Sequence, residues 1–268
     1  MGLLLNLRDR FAGDRLDLRA CTPDRLERGD RDRLPVRRGR ETLPLGDVFE
    51  IEEVAEADAP TLRLAGDCPR VDGVAAGWDR GSVAVDGSIG DDFAAGFAGD
   101  SATVGGSAGA GAARGLRGGA VRIAGDAGDH LAAAVPGARR GMTGGSVFVG
   151  GGCGEFAAAR MRRGELVVCG HAAAGAAMDL IAGTCAFGSV DPAGFGLDMR
   201  RGTVVLGRPV ELPSVRFAAA QPFESPFLVL LRRHLEQAGF VGPLAGSVVR
   251  SRGDRLHLGL GEVLQPAG

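Results

Sequence analysis

Gly141-Met-Thr-Gly-Gly-Ser-Val-Phe-Val-Gly-Gly151 is followed, nineteen residues on, by Arg160-Met-Arg-Arg-Gly-Glu-Leu-Val-Val-Cys-Gly170, and one pattern runs through both. A large apolar residue comes first and a glycine three positions later. A short β-type triplet begins two positions after that glycine, and a second glycine lies two positions beyond it. Outward from these segments, similar triplets stand at 62–64, 83–85, 102–104, 121–123, 147–149, 166–168, 185–187 and 204–206. Their starts are separated by 21, 19, 19, 26, 19, 19 and 19 residues. One period governs, with a seven-residue insertion around 129–136.

Other positions keep the same register. Gly81, Gly119, Gly145, Gly164, Gly183 and Gly202 precede their triplets by two residues, with Asp100 as the exception. Gly66, Gly87, Gly106, Gly125, Gly151 and Gly170 follow theirs, and this second column lapses to Ser189 and Arg208. Four repeats extend it to a G-x-x-G turn, for example Gly87 with Gly90 and Gly151 with Gly154. A ladder of large apolar residues, Trp78, Phe97, Leu116, Met142, Met161, Leu180 and Met199, steps in parallel.

A 19-residue unit whose apolar run is three residues long cannot bury its own face, so units must stack. Stacking one coil per strand spacing of about 4.8 Å gives an all-β chain, a right-handed parallel β-helix of about 19-residue coils. Alternation along each strand sends the first and third triplet residues inward and the second outward. Glycine serves the corners, where the backbone needs positive φ or close approach between coils. A period of 19 fits neither nine-residue calcium-binding β-rolls nor six-residue left-handed helices. The cluster at Gly150, Gly151, Gly152 and Gly154 belongs to the repeat and not to a nucleotide-binding fingerprint, which needs a following helix and a distal acid.

Residues 1–60 leave the repeat and are expected to form an N-terminal cap, with strand-like pieces at 3–7 and 47–51 around a charged stretch at 25–40. Residues 61–208 form the β-helix, and 209–268 a C-terminal extension with one helix. Ser225 supplies its N-cap, Pro226 its first position and Gly239 its end. Phe227, Leu230, Leu231 and Leu235 are read as its apolar face. The outward residues of the later triplets, Phe148, Val167, Ala186 and Val205, form an apolar stripe that needs a cover. The C-terminal helix is expected to supply it, with a partner protein as the other reading.

Composition narrows the function. The 268 residues carry 31 basic and 33 acidic side chains, a net charge of −2, which gives no global field for nucleic acid. The basic residues are all arginine, which leans towards a GC-rich bacterial source. No stretch approaches the roughly 18 apolar residues of a membrane span, and the start is read as lacking a signal peptide. Five irregularly spaced cysteines argue against a disulfide framework, and a cytoplasmic location is expected.

No nucleophile and base pair stands out, and no catalytic residue is assigned. His130, His171, His234 and His257 share no motif, and no metal site is expected. Cys68 and Cys153 occupy one position four coils apart, roughly 19 Å, while Cys169 with His171 is a two-ligand hint. The acid pairs Asp91 with Asp92 and Asp126 with Asp129 are expected to be solvated carboxylates at coil turns. Arginine is the one periodic charge: Arg162 and Arg200, like Arg163 and Arg201, are 38 residues apart, two whole coils, with Arg139 and Arg140 on the coil before. The four form a basic strip about 10 Å long, able to grip a polyanionic tail or an acidic partner through bidentate pairs.

The repeat, as in Gly115-Leu-Arg-Gly-Gly-Ala-Val-Arg-Ile-Ala-Gly125 and 141–151, resembles the C subunit of formylmethanofuran dehydrogenase and the related C-terminal β-helix of glutamate synthase. Arg15-Leu-Asp-Leu, Thr22-Pro-Asp-Arg-Leu26, Gly46-Asp-Val-Phe49, Arg252-Gly-Asp254 and Gly259-Leu-Gly-Glu-Val-Leu264 look like its bacterial branch, the formyltransferase/hydrolase complex of methylotrophs. The resemblance implies a non-catalytic scaffold, the C subunit of that complex, with the A, B and D subunits as partners. Such a complex passes a formyl group from tetrahydromethanopterin to a methanofuran analogue and releases formate. The chain itself would bind no cofactor alone, and the arginine strip would contact the cofactor's glutamate-rich tail. Other readings are the C subunit of a molybdenum or tungsten formylmethanofuran dehydrogenase, and a freestanding β-helical binding protein.

Overall fold

The computed structural model describes residues 2–54, 61–240 and 246–267. The end of the expected cap, 55–60, lies outside the described residues. The first elements are β1 (Gly2–Leu7), β2 (Leu16–Asp17), α1 (Pro23–Leu26), β3 (Pro35–Arg38), β4 (Glu41–Pro44), α2 (Leu45–Val48) and β5 (Phe49–Val54). The repeat then supplies β6 (Thr61–Ala65), β7 (Val71–Asp72), β8 (Ser82–Val85), β9 (Ser101–Val104), β10 (Ala120–Ile123) and β11 (Ser146–Val149). Longer strands follow, β12 (Glu165–Ala172), β13 (Thr184–Val190) and β14 (Arg201–Leu206). The chain ends with β15 (Gln221–Pro222), the helix α3 (Pro226–Gln237), β16 (Val248–Gly253) and β17 (Leu260–Pro266).

Among the described residues, thirteen of these strands join one sheet, in the order β15-β16-β17-β14-β13-β12-β11-β10-β9-β8-β6-β1-β5. From β6 to β14 every neighbour is parallel, and the aligned residues are those the period predicts. Leu62 faces Val83, then Ala102, Val121, Val147, Leu166, Cys185 and Val204 in turn. The seven-residue insertion therefore leaves the register untouched. A second parallel column of single bridges runs through Cys68, Ile89, Ala108, Ala127, Cys153 and Ala172. The first and third triplet residues are all buried, as are the seven large side chains from Trp78 to Met199.

The parallel ladder continues past 61–208 at both ends. β1 adds parallel to β6 and β17 parallel to β14. Each is then closed by an antiparallel neighbour, β5 on β1 and β16 on β17. Both outermost strands discourage further pairing: β5 presents exposed Glu50, Glu52 and Glu53, and β15 is two residues long and includes Pro222.

Side chains reinforce the stack between coils. Asp67, Ser88, Ser107 and Asp126 each accept, through a side-chain oxygen, the backbone N–H one coil further on, that of Ser88, Ser107, Asp126 and Gly152. Asp91 and Asp129 do the same for Ala110 and Glu155. The expectation of merely solvated carboxylates is therefore corrected. Asp92 departs furthest from it, being buried and ion-paired with Arg19 and with Arg114, the latter at 2.6 Å. Arg15 spans Asp72 and Asp91, so two arginines bolt the N-terminal segment to the first coils. β2 also pairs with β7 of the first coil, in a small sheet ordered β4-β3-β2-β7.

α3 begins as expected: the Ser225 hydroxyl accepts the N–H of Phe227 and Pro226 is the first residue. It covers the outward stripe, where Val167, Ala186 and Val205 cluster with Leu228, Leu231, Leu235, Phe240, Val248 and Leu264. The helix is rotated from the expected face. Leu228, Leu231 and Leu235 are buried, while Phe227 and Leu230 are exposed. In this orientation His234 reaches Glu165 on β12 at 2.8 Å.

Candidate functional site

The arginine strip arises at a coil corner. Met161 and Met199 point into the core, so the two residues after each are thrown outward before Gly164 and Gly202 turn the chain at positive φ. The corners are held at coil spacing by the backbone. Arg162 N–H donates to Met142 O at 2.8 Å, Ile181 N–H to Met161 O at 2.9 Å and Arg200 N–H to Leu180 O at 2.8 Å. The middle coil contributes Ile181 and Ala182, so the strip is two arginine pairs flanking an apolar step.

Arg162, Arg163, Arg200 and Arg201 line one open furrow of about 560 Å³ together with Ile181, Ala182 and Leu258. A second hollow of about 390 Å³ shares Ile181 and Arg200 and adds Arg139, Arg160 and Asp179. Arg140, expected beside them, lines neither. Arg160 is tied to Asp179 at 3.3 Å. The guanidinium groups of Arg139, Arg162, Arg163, Arg200 and Arg201 have no hydrogen bond or ion pair among the described residues. Clustered, unpaired guanidiniums beside an apolar step suit an extended polycarboxylate, because each can take a carboxylate bidentately.

Beside the furrow lies a feature that sequence spacing did not reveal. Asp198, Asp254 and His257 bring their ligand atoms within 4.8 Å of one another, the one such group among the described residues. Arg216 already fills the position a cation would take: its Nη1 is 2.9 Å from Asp198 Oδ1 and 2.5 Å from Asp254 Oδ2. Burial disfavours the charge on Asp254. The Leu256 N–H, the Arg216 guanidinium and the Asp198 N–H outweigh that penalty and hold its carboxyl below the usual range. The group is a clasp on the loop 254–259. These residues share no period or motif, so no signal in the sequence joined them.

The remaining candidates disperse. Cys169 Sγ lies 3.4 Å from Gly239 O, and the His171 ring meets Ser189 Oγ at 3.0 Å, so the two form no common site. His130 stacks on Phe156 with ring centroids 5.4 Å apart. Cys68 and Cys153 stand four steps apart in one column, as expected. Burial pushes Cys21, Cys153 and Cys185 up to about 12 and Cys68 to about 11, far from a thiolate nucleophile. No helix of the described residues is long and apolar enough to cross a membrane.

No family model matches the sequence, and no curated protein does. Four chains of solved structures match. One belongs to the X-ray crystal structure of the formyltransferase/hydrolase complex (FhcABCD) from Methylorubrum extorquens in complex with methylofuran. This chain is similar to it at 35% identity and a TM-score of 0.87, over 99% of this chain and 100% of that one.

Proposed function

Because the chain belongs to the same family as that chain of the formyltransferase/hydrolase complex, we propose that it is the C subunit of such a complex, acting as a non-catalytic scaffold. The complex would pass formyl from formyl-tetrahydromethanopterin to a methanofuran analogue and hydrolyse the product to formate, in the cytoplasm. The observation that carries this reading is the end-to-end likeness at 35% identity, which spans the repeat and both flanking segments. The scaffold role is supported by a chain whose aligned repeats, buried thiols and carboxylates are engaged in its own packing. The coil stack is read as a right-handed parallel β-helix, with 1–60 as its cap and 209–268 as its extension.

Arg162, Arg163, Arg200 and Arg201 would hold the acidic tail of the methanofuran analogue. Four unpaired guanidiniums around one furrow suit a run of carboxylates. The test is co-expression of this chain with the other subunits, followed by assay of formate release and of cofactor retained on the complex. Omitting this chain is expected to abolish assembly and activity. Charge reversal at the four arginines is expected to lower cofactor retention at least tenfold, counted per assembled complex. Full activity without this chain would overturn the scaffold reading, and undiminished retention in the variant would overturn the tail site.

A further inference from the structure

We propose that the loop 254–259 and its surroundings form a docking surface for a neighbouring subunit, one whose contact face is apolar and bordered by carboxylates. This rests on the reading of the chain as part of a hetero-oligomeric complex. The loop joins β16 to β17 and is pinned from several sides. Asp254, wholly buried, accepts from Arg216 at 2.5 Å, from the Leu256 N–H at 2.9 Å and from the Asp198 N–H at 3.1 Å. Its carbonyl accepts the N–H groups of His257 and Gly259, both at 2.9 Å. Arg255 donates from its backbone to Arg216 O at 2.8 Å and from its side chain to Ser214 O at 2.5 Å, which holds the neighbouring segment alongside.

This well-fastened frame displays apolar side chains instead of hiding them. Leu256, Leu258 and Leu260 are 61%, 70% and 58% exposed, and Val215 on the adjoining segment is 75% exposed. Leu258 is also held at φ +74, a left-handed conformation that bulky side chains rarely adopt and that persists where surroundings enforce it. An exposed leucine cluster on a hydrogen-bonded frame, with one member in a left-handed conformation, is costly to maintain on a lone chain and suits a surface that is covered in the assembly.

Charge identifies the chemistry of the cover. Leu260 is aligned with Arg201 across the β14–β17 pairing, and Leu258 lines the furrow with Arg162, Arg163 and Arg200. None of these arginines is neutralised by another described residue. A leucine centre rimmed on one side by unpaired arginines matches the anatomy of a protein interface, with acidic residues opposite the rim. A purely polyanionic ligand would leave the leucines in water.

The experiment uses the full chain co-expressed with the other subunits of the complex. The variant Leu256→Ser/Leu258→Ser/Leu260→Ser is expected to keep the circular dichroism spectrum and melting temperature of the unaltered chain. It should bind the co-expressed subunits at least tenfold more weakly. Arg201→Glu, which leaves the leucines in place, is expected to weaken binding several-fold with a shallower salt dependence. Phe227→Ser/Leu230→Ser on α3 is the control and is expected to assemble normally. Assembly of the triple-leucine variant at unchanged Kd overturns the docking surface while leaving the scaffold reading intact. Failure of the unaltered chain to recruit any other subunit overturns both. Cofactor lost with all subunits retained, or a free chain that dimerises only when the leucines are present, also overturns it, in favour of a ligand surface or a second copy respectively.

Discussion

Glycine serves two separate purposes in this stack, positive φ and close approach between coils. The six glycines before the triplets, Gly183 at φ +112 among them, all hold positive φ, whereas Asp100 does not. Of the glycines after the triplets, Gly170 has ordinary φ but no room. A Cβ there would lie 2.7 Å from the Gly151 carbonyl carbon of the preceding coil. A third column is invisible in composition: Ala75, Ala94, Ala113, Ala132, Ala158 and Ala177 all lie at positive φ and buried, and Gly196 ends the series. Alanine survives there because the methyl group fills core space, even though its φ is disfavoured. Gly183→Ala is expected to cost about 1–3 kcal/mol, since it meets both the φ penalty and the Met161 methyl at 2.8 Å. Gly13→Ala, at negative φ with nothing within 4 Å, is expected to be neutral or to stabilise by up to about 1 kcal/mol. Urea midpoints of the two variants check the contrast.

At the scale of an element, the informative case is α3. Its first two turns read Phe227, Leu228, Val229, Leu230, Leu231, so apolar residues encircle the axis and periodicity cannot choose the buried face. The choice falls to what the helix meets: the Val167, Ala186, Val205 stripe on one side and Glu165 for His234 on the other. Leu235→Ala is expected to destabilise by about 2–4 kcal/mol and to raise dye binding by uncovering the stripe. Leu230→Ala should stay within about 0.5 kcal/mol. Chemical denaturation with a hydrophobic dye present distinguishes the two. The later strands show a related effect. β12, which keeps Gly170, and β13, where Ser189 replaces the second glycine, run on for eight and seven residues instead of four, and His171 pairs with Ser189 beyond a register shift.

For the whole molecule, stability is carried by contacts between neighbouring coils, so the coil is the unit that can be removed. Deletion of 101–119, one full period, would bring Ala120 opposite Ser82 and let Ser88 Oγ accept the Asp126 N–H in place of Ser107. That variant is expected to fold, one coil shorter, with a cooperative thermal transition. Deletion of 101–118 shifts every following residue by one, which turns inward side chains outward, and no cooperative transition is expected. Circular dichroism melting of both proteins decides it. The two ends matter because a stack exposes a strand edge at each. Here antiparallel partners and the Arg15 and Arg19 pairs with Asp72, Asp91 and Asp92 close the first coils.

The amino-acid order alone carries the coil length, the register of eight strands, the inward ladder and the placing of Arg162 and Arg163 two coils before Arg200 and Arg201. All of these follow from one local rule, that a chain returning every 19 residues places like positions a strand spacing apart. Three-dimensional packing sets which face of α3 is buried and how Arg15 and Arg19 fasten the first coils. It alone also decided that Arg216 locks Asp198 and Asp254 under a leucine-bearing loop. The ion pairs among these contacts join residues 18 to 76 positions apart, and their arginines lie in the flanking segments outside the repeat, so such pairing leaves no mark in it.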